Sequence, residues 1–167
     1  YLLVRVKMCT NNNNTIIKSP NDKASYYTNT LPNGIKYLII TDPDADTSAC
    51  SLDISIGSIH DPPHIPGLAH FLEHTILLGT EKYPSNAFNE FLSKNSGNSN
   101  AYTTMNSTNY HFEIGNDAIE KALDMFSTFF ICPLFNEDLI ERELSAVNSE
   151  FKLMERNDKE RLSSIIT

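Results

Sequence analysis

The chain lacks most of the features that would place it in a membrane, on nucleic acid or in a disulfide scaffold. No stretch of its 167 residues approaches the ~20 consecutive apolar positions of a membrane span, and the apolar start over residues 1–6 is too short for a signal-peptide core. Basic residues are few. Thirteen Lys and Arg against twenty-one Asp and Glu give a net charge of −8, which argues against nucleic acid or an anionic membrane as the main partner. Only three cysteines occur, Cys9, Cys50 and Cys132, widely spaced and without a C-x-x-C pair. Such a set reads as free thiols of a reducing compartment, which favours a cytoplasmic location. No internal repeat is present. A chain of this length can bury about 70% of its unfolded surface, so one domain with its own core is expected.

Residues 1–25 read as irregular, with the Asn11 to Asn14 run resembling a low-complexity insertion. Residues 1–15 are therefore set apart as an N-terminal segment, and 16–167 as the domain. Asn33-Gly34 marks a turn into a strand over residues 35–40, which Asp42-Pro43-Asp44 breaks. Leu52, Ile54 and Ile56 alternate with Asp53 and Ser55, giving a second strand with one buried face. A helix carrying His70 follows, with Gly79 as its C-terminal cap, then a short helix over 85–94 with Phe88, Phe91 and Leu92 inward. Residues 101–105 and 109–114 read as a hairpin around Asn106-Ser107. Asn116 caps a helix over 117–131 with an Ile119, Ala122, Leu123, Phe126, Phe130 stripe, and Pro133 stops it. With a last helical pattern over 136–161, the order is β-β-α-α-β-β-α-α. That order indicates an α+β fold of two layers, a mainly antiparallel sheet covered by helices.

His70, Glu73 and His74 spell H-x-x-E-H within the third of these elements. At about 100° per residue, His74 lies about 40° around the helix from His70 and Glu73 about 60° to the other side, so the three heads share one face. Leu68, Phe71, Leu72, Ile76, Leu77 and Leu78 leave no wet face, and a helix apolar all round is normally buried. Polar groups buried there need partners. Two His four residues apart suit a zinc ion, and this order of residues is the inverted zinc-peptidase signature. A pair of core histidines held by hydrogen bonds, with Glu73 paired to a base elsewhere, would satisfy the same three positions.

The last helical pattern carries an apolar stripe of Leu139, Ile140, Leu144, Val147, Phe151 and Met154. With Glu143 at zero on the wheel, Val147 falls near 40°, Leu139 near −40° and Glu150 near −20°, all about one line. Both glutamates therefore lie inside the stripe, whereas Glu137, Glu141, Lys152, Glu155 and Arg156 fall on the solvent side. A carboxylate in an apolar interface without compensation costs several kcal/mol, so each of the two demands a cation. An Arg or Lys would serve. A metal bound by His70 and His74 would answer Glu150 directly and Glu143 indirectly, through the groups around the metal's ligands.

The chain resembles the pitrilysin/insulysin family of zinc metallopeptidases, in its insulin-degrading branch, from about residue 16 to residue 161. The resemblance rests on Ile17-Lys18-Ser19-Pro20, Asn33-Gly34-Ile35-Lys36, Asp61-Pro62-Pro63, Gly67-Leu68-Ala69-His70-Phe71-Leu72-Glu73-His74, Leu78-Gly79-Thr80-Glu81-Lys82-Tyr83-Pro84, Ser99-Asn100-Ala101-Tyr102-Thr103, Thr108-Asn109-Tyr110, Cys132-Pro133-Leu134-Phe135, Glu141-Arg142-Glu143 and Ser149-Glu150. It implies zinc held by His70, His74 and Glu150, with Glu73 as general base and Glu143 as a supporting glutamate. It also implies that a peptide or small-protein substrate adds as a strand along Asn100, Ala101 and Tyr102, a mode in which backbone hydrogen bonds read an extended chain. The implied activity is a zinc metalloendopeptidase. Two other roles share the resemblance, a non-catalytic peptide-binding subunit and a processing peptidase. The first conflicts with the full ligand set, the second with the absence of an Arg-rich, acid-poor leading segment. The family's four-domain architecture implies that this domain is C-terminally incomplete and that further C-terminal domains are its partners. His60 and His64, around Asp61-Pro62-Pro63, read as solvated loop residues, and His111 as a strand residue facing a surface or groove.

Overall fold

The computed structural model describes residues 16–154, 156 and 158. The N-terminal segment 1–15 with Cys9, and the end of the expected last helix, lie outside the described residues. Two strands open the described chain: β1, Ser25–Thr30, and β2, Lys36–Thr41, pair antiparallel from Ser25↔Thr41 to Thr30↔Lys36. The turn between them needs Gly34, whose φ is +88°, and Asn33 Oδ1 accepts the Ile35 N–H at 3.2 Å. β1 has no counterpart in the sequence reading. Its Ser, Tyr, Thr and Asn show no apolar alternation, and the β2 backbone supplies its ladder.

A second, three-stranded sheet carries the rest. β3, Thr47–Ile54, β4, Asn98–Thr103, and β5, Thr108–Gly115, lie in the order β3-β5-β4, antiparallel throughout. β3 starts five residues before Leu52 because Ser48 and Cys50 turn inward, 2% and 3% exposed, and small side chains leave no hydrophobic signal. The β4–β5 hairpin turns around Asn106-Ser107 as expected, with Thr103 opposite Thr108. β4 is an edge strand, which leaves one side of its backbone without a strand neighbour.

Helices cover one face of this sheet. α2, Ala87–Lys94, and α3, Ile119–Thr128, place Phe88, Leu92, Ala122 and Phe126 against Phe112 and Ile114 of β5. The Phe88 and Phe112 rings meet edge to face at 5.5 Å, Phe112 and Phe126 lie 5.1 Å apart, and Phe88 and Phe129 meet at 5.5 Å. Such pairs add about 0.5–1.5 kcal/mol each beyond burial. Asn116 does not cap α3. It opens a single 3-10 turn, and its amide accepts from Ser48 Oγ at 2.8 Å and donates to the Ala45 carbonyl at 2.9 Å, joining the end of β5 to the start of β3.

α1, Leu68–Ile76, ends three residues before Gly79, with Leu77 as its cap. Only Ala69, Glu73 and Thr75 of α1 are buried, while Leu68 and Leu72 are exposed, so the helix has a wet side that the sequence reading denied it. Gly79 instead serves the connection to α2, where its carbonyl accepts the Leu134 N–H at 3.1 Å. Lys82 pairs with Asp124 of α3 at 2.8 Å, and the Tyr83 hydroxyl donates to the same carboxylate. These hydrogen bonds, that of Lys82 first, hold the Asp124 carboxyl down to about 2. α4, Glu137–Met154, packs on α1 with Leu139, Ile140, Glu143 and Val147 half-buried. Its stripe is narrower than expected, because Leu144 and Phe151 face solvent.

The core and the α4 face should respond differently to truncation. Phe112→Ala should cost about 3–5 kcal/mol in denaturant unfolding, as for other buried phenylalanines. Phe151→Ala should stay within about 0.5 kcal/mol, as expected of an exposed position. Equal losses would show that α4 belongs to the same cooperative core.

Candidate metal centre

Placement of α1 begins in the loop before it. Ser58 and Ile59 donate their N–H groups to Thr104 and Met105 of the β4–β5 turn, both at 3.0 Å. The approach is so close at Gly57 that a Cβ there would lie 2.2 Å from the Thr104 oxygen. Asp61 then reaches the open end of the helix, its carboxylate accepting from Gly67 N at 2.7 Å and Ala69 N at 2.8 Å. Two orphan donors and the positive end of the helix are thus answered by one anion. Sequence reasoning placed Asp61 only in a turn.

From that anchored helix His70 and His74 project toward α4. Their Nε2 atoms stand 3.2 Å apart, and Glu150 Oε2 lies 3.8 Å from the first and 3.6 Å from the second. These three side chains form the metal-competent group among the described residues. Glu143 Oε2 sits behind them, 3.2 Å from His74 Nδ1. A carboxylate there accepts the Nδ1 proton, which leaves the lone pair of His74 on Nε2, the atom that faces His70 and Glu150.

The donor set fits zinc. Tetrahedral bonds of about 2.0–2.2 Å separate ligand atoms by about 3.3–3.6 Å, the range these three atoms already span to within a few tenths. A hydrogen-bonded histidine pair would account for the 3.2 Å contact, and a zinc ion would account for the approach of Glu150 to both rings as well. Among the described residues neither Glu143 nor Glu150 pairs with Lys or Arg; both face the imidazoles, Glu143 half-buried and Glu150 exposed rather than inside an apolar stripe.

Glu73 points elsewhere. It is 7% exposed, and its Oε2 accepts the Thr103 hydroxyl of β4 at 2.6 Å. It lines a cavity of about 520 Å³ with His74, Leu77, Ala101, Tyr110 and Glu143. Burial, and secondarily the nearby Glu73 charge, push the Tyr110 hydroxyl above its ordinary value, so it stays protonated. Tyr110 and Thr103 were not singled out from sequence as site residues. Their inward direction follows from the strand register, which pairs Tyr110 with Ala101 and Thr108 with Thr103.

Asn100, Ala101 and Tyr102 lie on the edge strand, with Ala101 half-buried toward the cavity and Asn100 and Tyr102 exposed. The Ala101 N–H donates to Asn100 Oδ1 at 3.0 Å. His111 stays outside the metal group, its Nδ1 3.1 Å from Asn109 Oδ1. His60 and His64 are exposed, as expected. Cys50 and Cys132 form no disulfide with each other. No described helix is long and apolar enough to cross a membrane.

Comparison with known proteins gives a consistent result. Residues 36–167 match the model of the insulinase family, peptidase family M16. The chain is 50% identical over 150 residues to the human insulin-degrading enzyme, covering 89% of this chain and 15% of that protein. It is 50% identical over 143 residues to the A-factor-processing enzyme of Saccharomyces cerevisiae, covering 85% and 14%. The crystal structure of pitrilysin superposes with a TM-score of 0.80 at 38% identity, over 84% of this chain and 15% of pitrilysin's. The chain thus spans about one-seventh of the length of these relatives. With a family match over most of its length and a site built from the same fold, the chain belongs to the insulinase family of peptidases, family M16.

Proposed function

We propose that residues 16–167 form the N-terminal zinc-binding domain of a metalloendopeptidase that hydrolyses peptides and small proteins. The observation that carries this reading is the approach of His70 Nε2, His74 Nε2 and Glu150 Oε2 to within 3.8 Å of one another, with Glu73 buried beside them but bonded to β4 instead. His70, His74 and Glu150 would hold the zinc, with Glu143 fixing the His74 ring from behind. Zinc bound there supplies a Lewis acid that lowers the pKa of water to about 7 and polarises a carbonyl. Glu73 takes a proton from the attacking water on its carboxylate and returns it to the leaving amine. A peptide substrate pairs with the free edge of β4 along Asn100, Ala101 and Tyr102, where its carbonyl replaces Asn100 Oδ1 on the Ala101 N–H. The retention of all five acids and bases supports catalysis over a purely peptide-binding role.

The acids divide the work, so their variants should separate. Glu150→Gln should lose most bound zinc, whereas Glu73→Gln should retain it and lose turnover. Glu143→Gln should weaken zinc retention about 10–100-fold, as for other groups that orient a ligand. Metal analysis of the purified variants decides this. Equal zinc in Glu150→Gln and the parent would remove Glu150 from the ligand set.

Because the chain spans only 14–15% of its relatives, the remaining domains are proposed to complete the substrate clamp. The isolated 167 residues should therefore cleave a quenched fluorescent peptide poorly, at least about 10²–10³-fold below the rate with the C-terminal remainder added, the usual cost of one missing oxyanion donor. Full chelator-sensitive activity of the isolated chain would show that these residues suffice.

A further inference from the structure

We propose that Thr103 is a positioning residue for Glu73: its hydroxyl anchors Oε2 and so commits Oε1, the other oxygen, to proton transfer. This rests on the reading of Glu73 as the base. The Thr103 Oγ1 to Glu73 Oε2 distance of 2.6 Å is that of a charge-assisted hydrogen bond. It is the one hydrogen bond that the Glu73 carboxylate makes among the described residues. A glutamate has three rotatable bonds, and a buried one facing a cavity of about 520 Å³ needs such a tether to keep one orientation.

The tether is itself held. Thr103 is β-branched, so its χ1 is stiff, and its place on β4 opposite Thr108 sets the hydroxyl toward α1. Thr108 Oγ1 donates to the Ile56 carbonyl at 2.9 Å, and the two threonine oxygens stand 3.3 Å apart. Each hydroxyl has one proton. Thr108 spends its proton on Ile56, and the Thr103 proton goes to the carboxylate at 2.6 Å rather than to a neutral oxygen at 3.3 Å. The proposed base on α1 is thereby tied to β4 by a proton that Thr103 shares with no other acceptor, whereas Glu150 comes from α4.

A hydroxyl that merely satisfies a buried carboxylate would affect stability and leave the catalytic step alone. The test uses the zinc-loaded enzyme with all its domains, comparing Thr103→Val, which removes the hydroxyl at nearly constant shape, with Thr103→Ser, which keeps it. Thr103→Val should lower kcat about 10–100-fold, the scale set by sub-ångström to 1 Å misplacement of a reacting group, while KM and zinc affinity stay within about twofold. Thr103→Ser should recover most of kcat. Should Thr103→Val fail to fold, Thr103→Ala removes the same hydroxyl with a smaller side chain, and the same kcat loss at unchanged KM is expected.

Zinc affinity by chelator competition provides a readout independent of turnover. Unchanged kcat in the folded Val variant, an equal loss in Val and Ser, or a loss explained by zinc release would each overturn the proposal. Glu73→Gln, run alongside, separates the two readings. If it is inactive while Thr103→Val is unimpaired, only the positioning role fails; if Glu73→Gln itself turns over normally, the base assignment fails.

Discussion

Two carboxylates of α4 face two imidazoles of α1, and this meeting of acids and bases between two helices is what the rest of the site is built around. Glu143 and Glu150 reach His74 and His70 at 3.2–3.8 Å, with no Lys or Arg pairing to either glutamate among the described residues. Acidic groups gathered in this way repel one another unless a cation joins them. α4 meets α1 through these side chains and through half-buried Leu139, Ile140 and Val147. A metal bound as proposed would tie the packing of that helix to metal binding.

The fold separates that helix pair from the core. Phe88, Phe112, Phe126 and Phe129 bind α2 and α3 to the sheet, and the Asp61 cap with the Gly57 contact fixes where α1 begins. α1 therefore presents its histidines from a helix anchored at its start, while Glu150, the proposed third ligand, comes from a half-exposed helix. Glu73 belongs to the anchored side. Its tie to β4 places the proposed base at the same strand whose free edge is proposed to take the substrate.

Much of the site was legible because helices convert spacing into direction. The 100° step puts His70 and His74 on one face and Glu143 and Glu150 on another, with no tertiary information needed. Where the sequence misled, neighbours had decided the outcome. Leu68 and Leu72 suggest a helix buried all round, but α4 and the sheet cover only part of it. Ser48 and Cys50 carry no strand signal yet lie in the core, and Asn116 spends its amide on Ser48 and Ala45 rather than on a helix end. Thr103 and Asp61 act across 30 and 6–8 residues of sequence respectively, distances that local pattern does not span.

The proposed zinc would join α1 to α4 through two imidazoles and one carboxylate. X-ray absorption at the zinc edge of the loaded protein tests it directly. The account predicts two imidazole nitrogens and only oxygen besides, at about 2.0–2.2 Å, with one imidazole signature lost in His74→Ala. A sulfur ligand from Cys50 or Cys132, or an unchanged spectrum in His74→Ala, would contradict it.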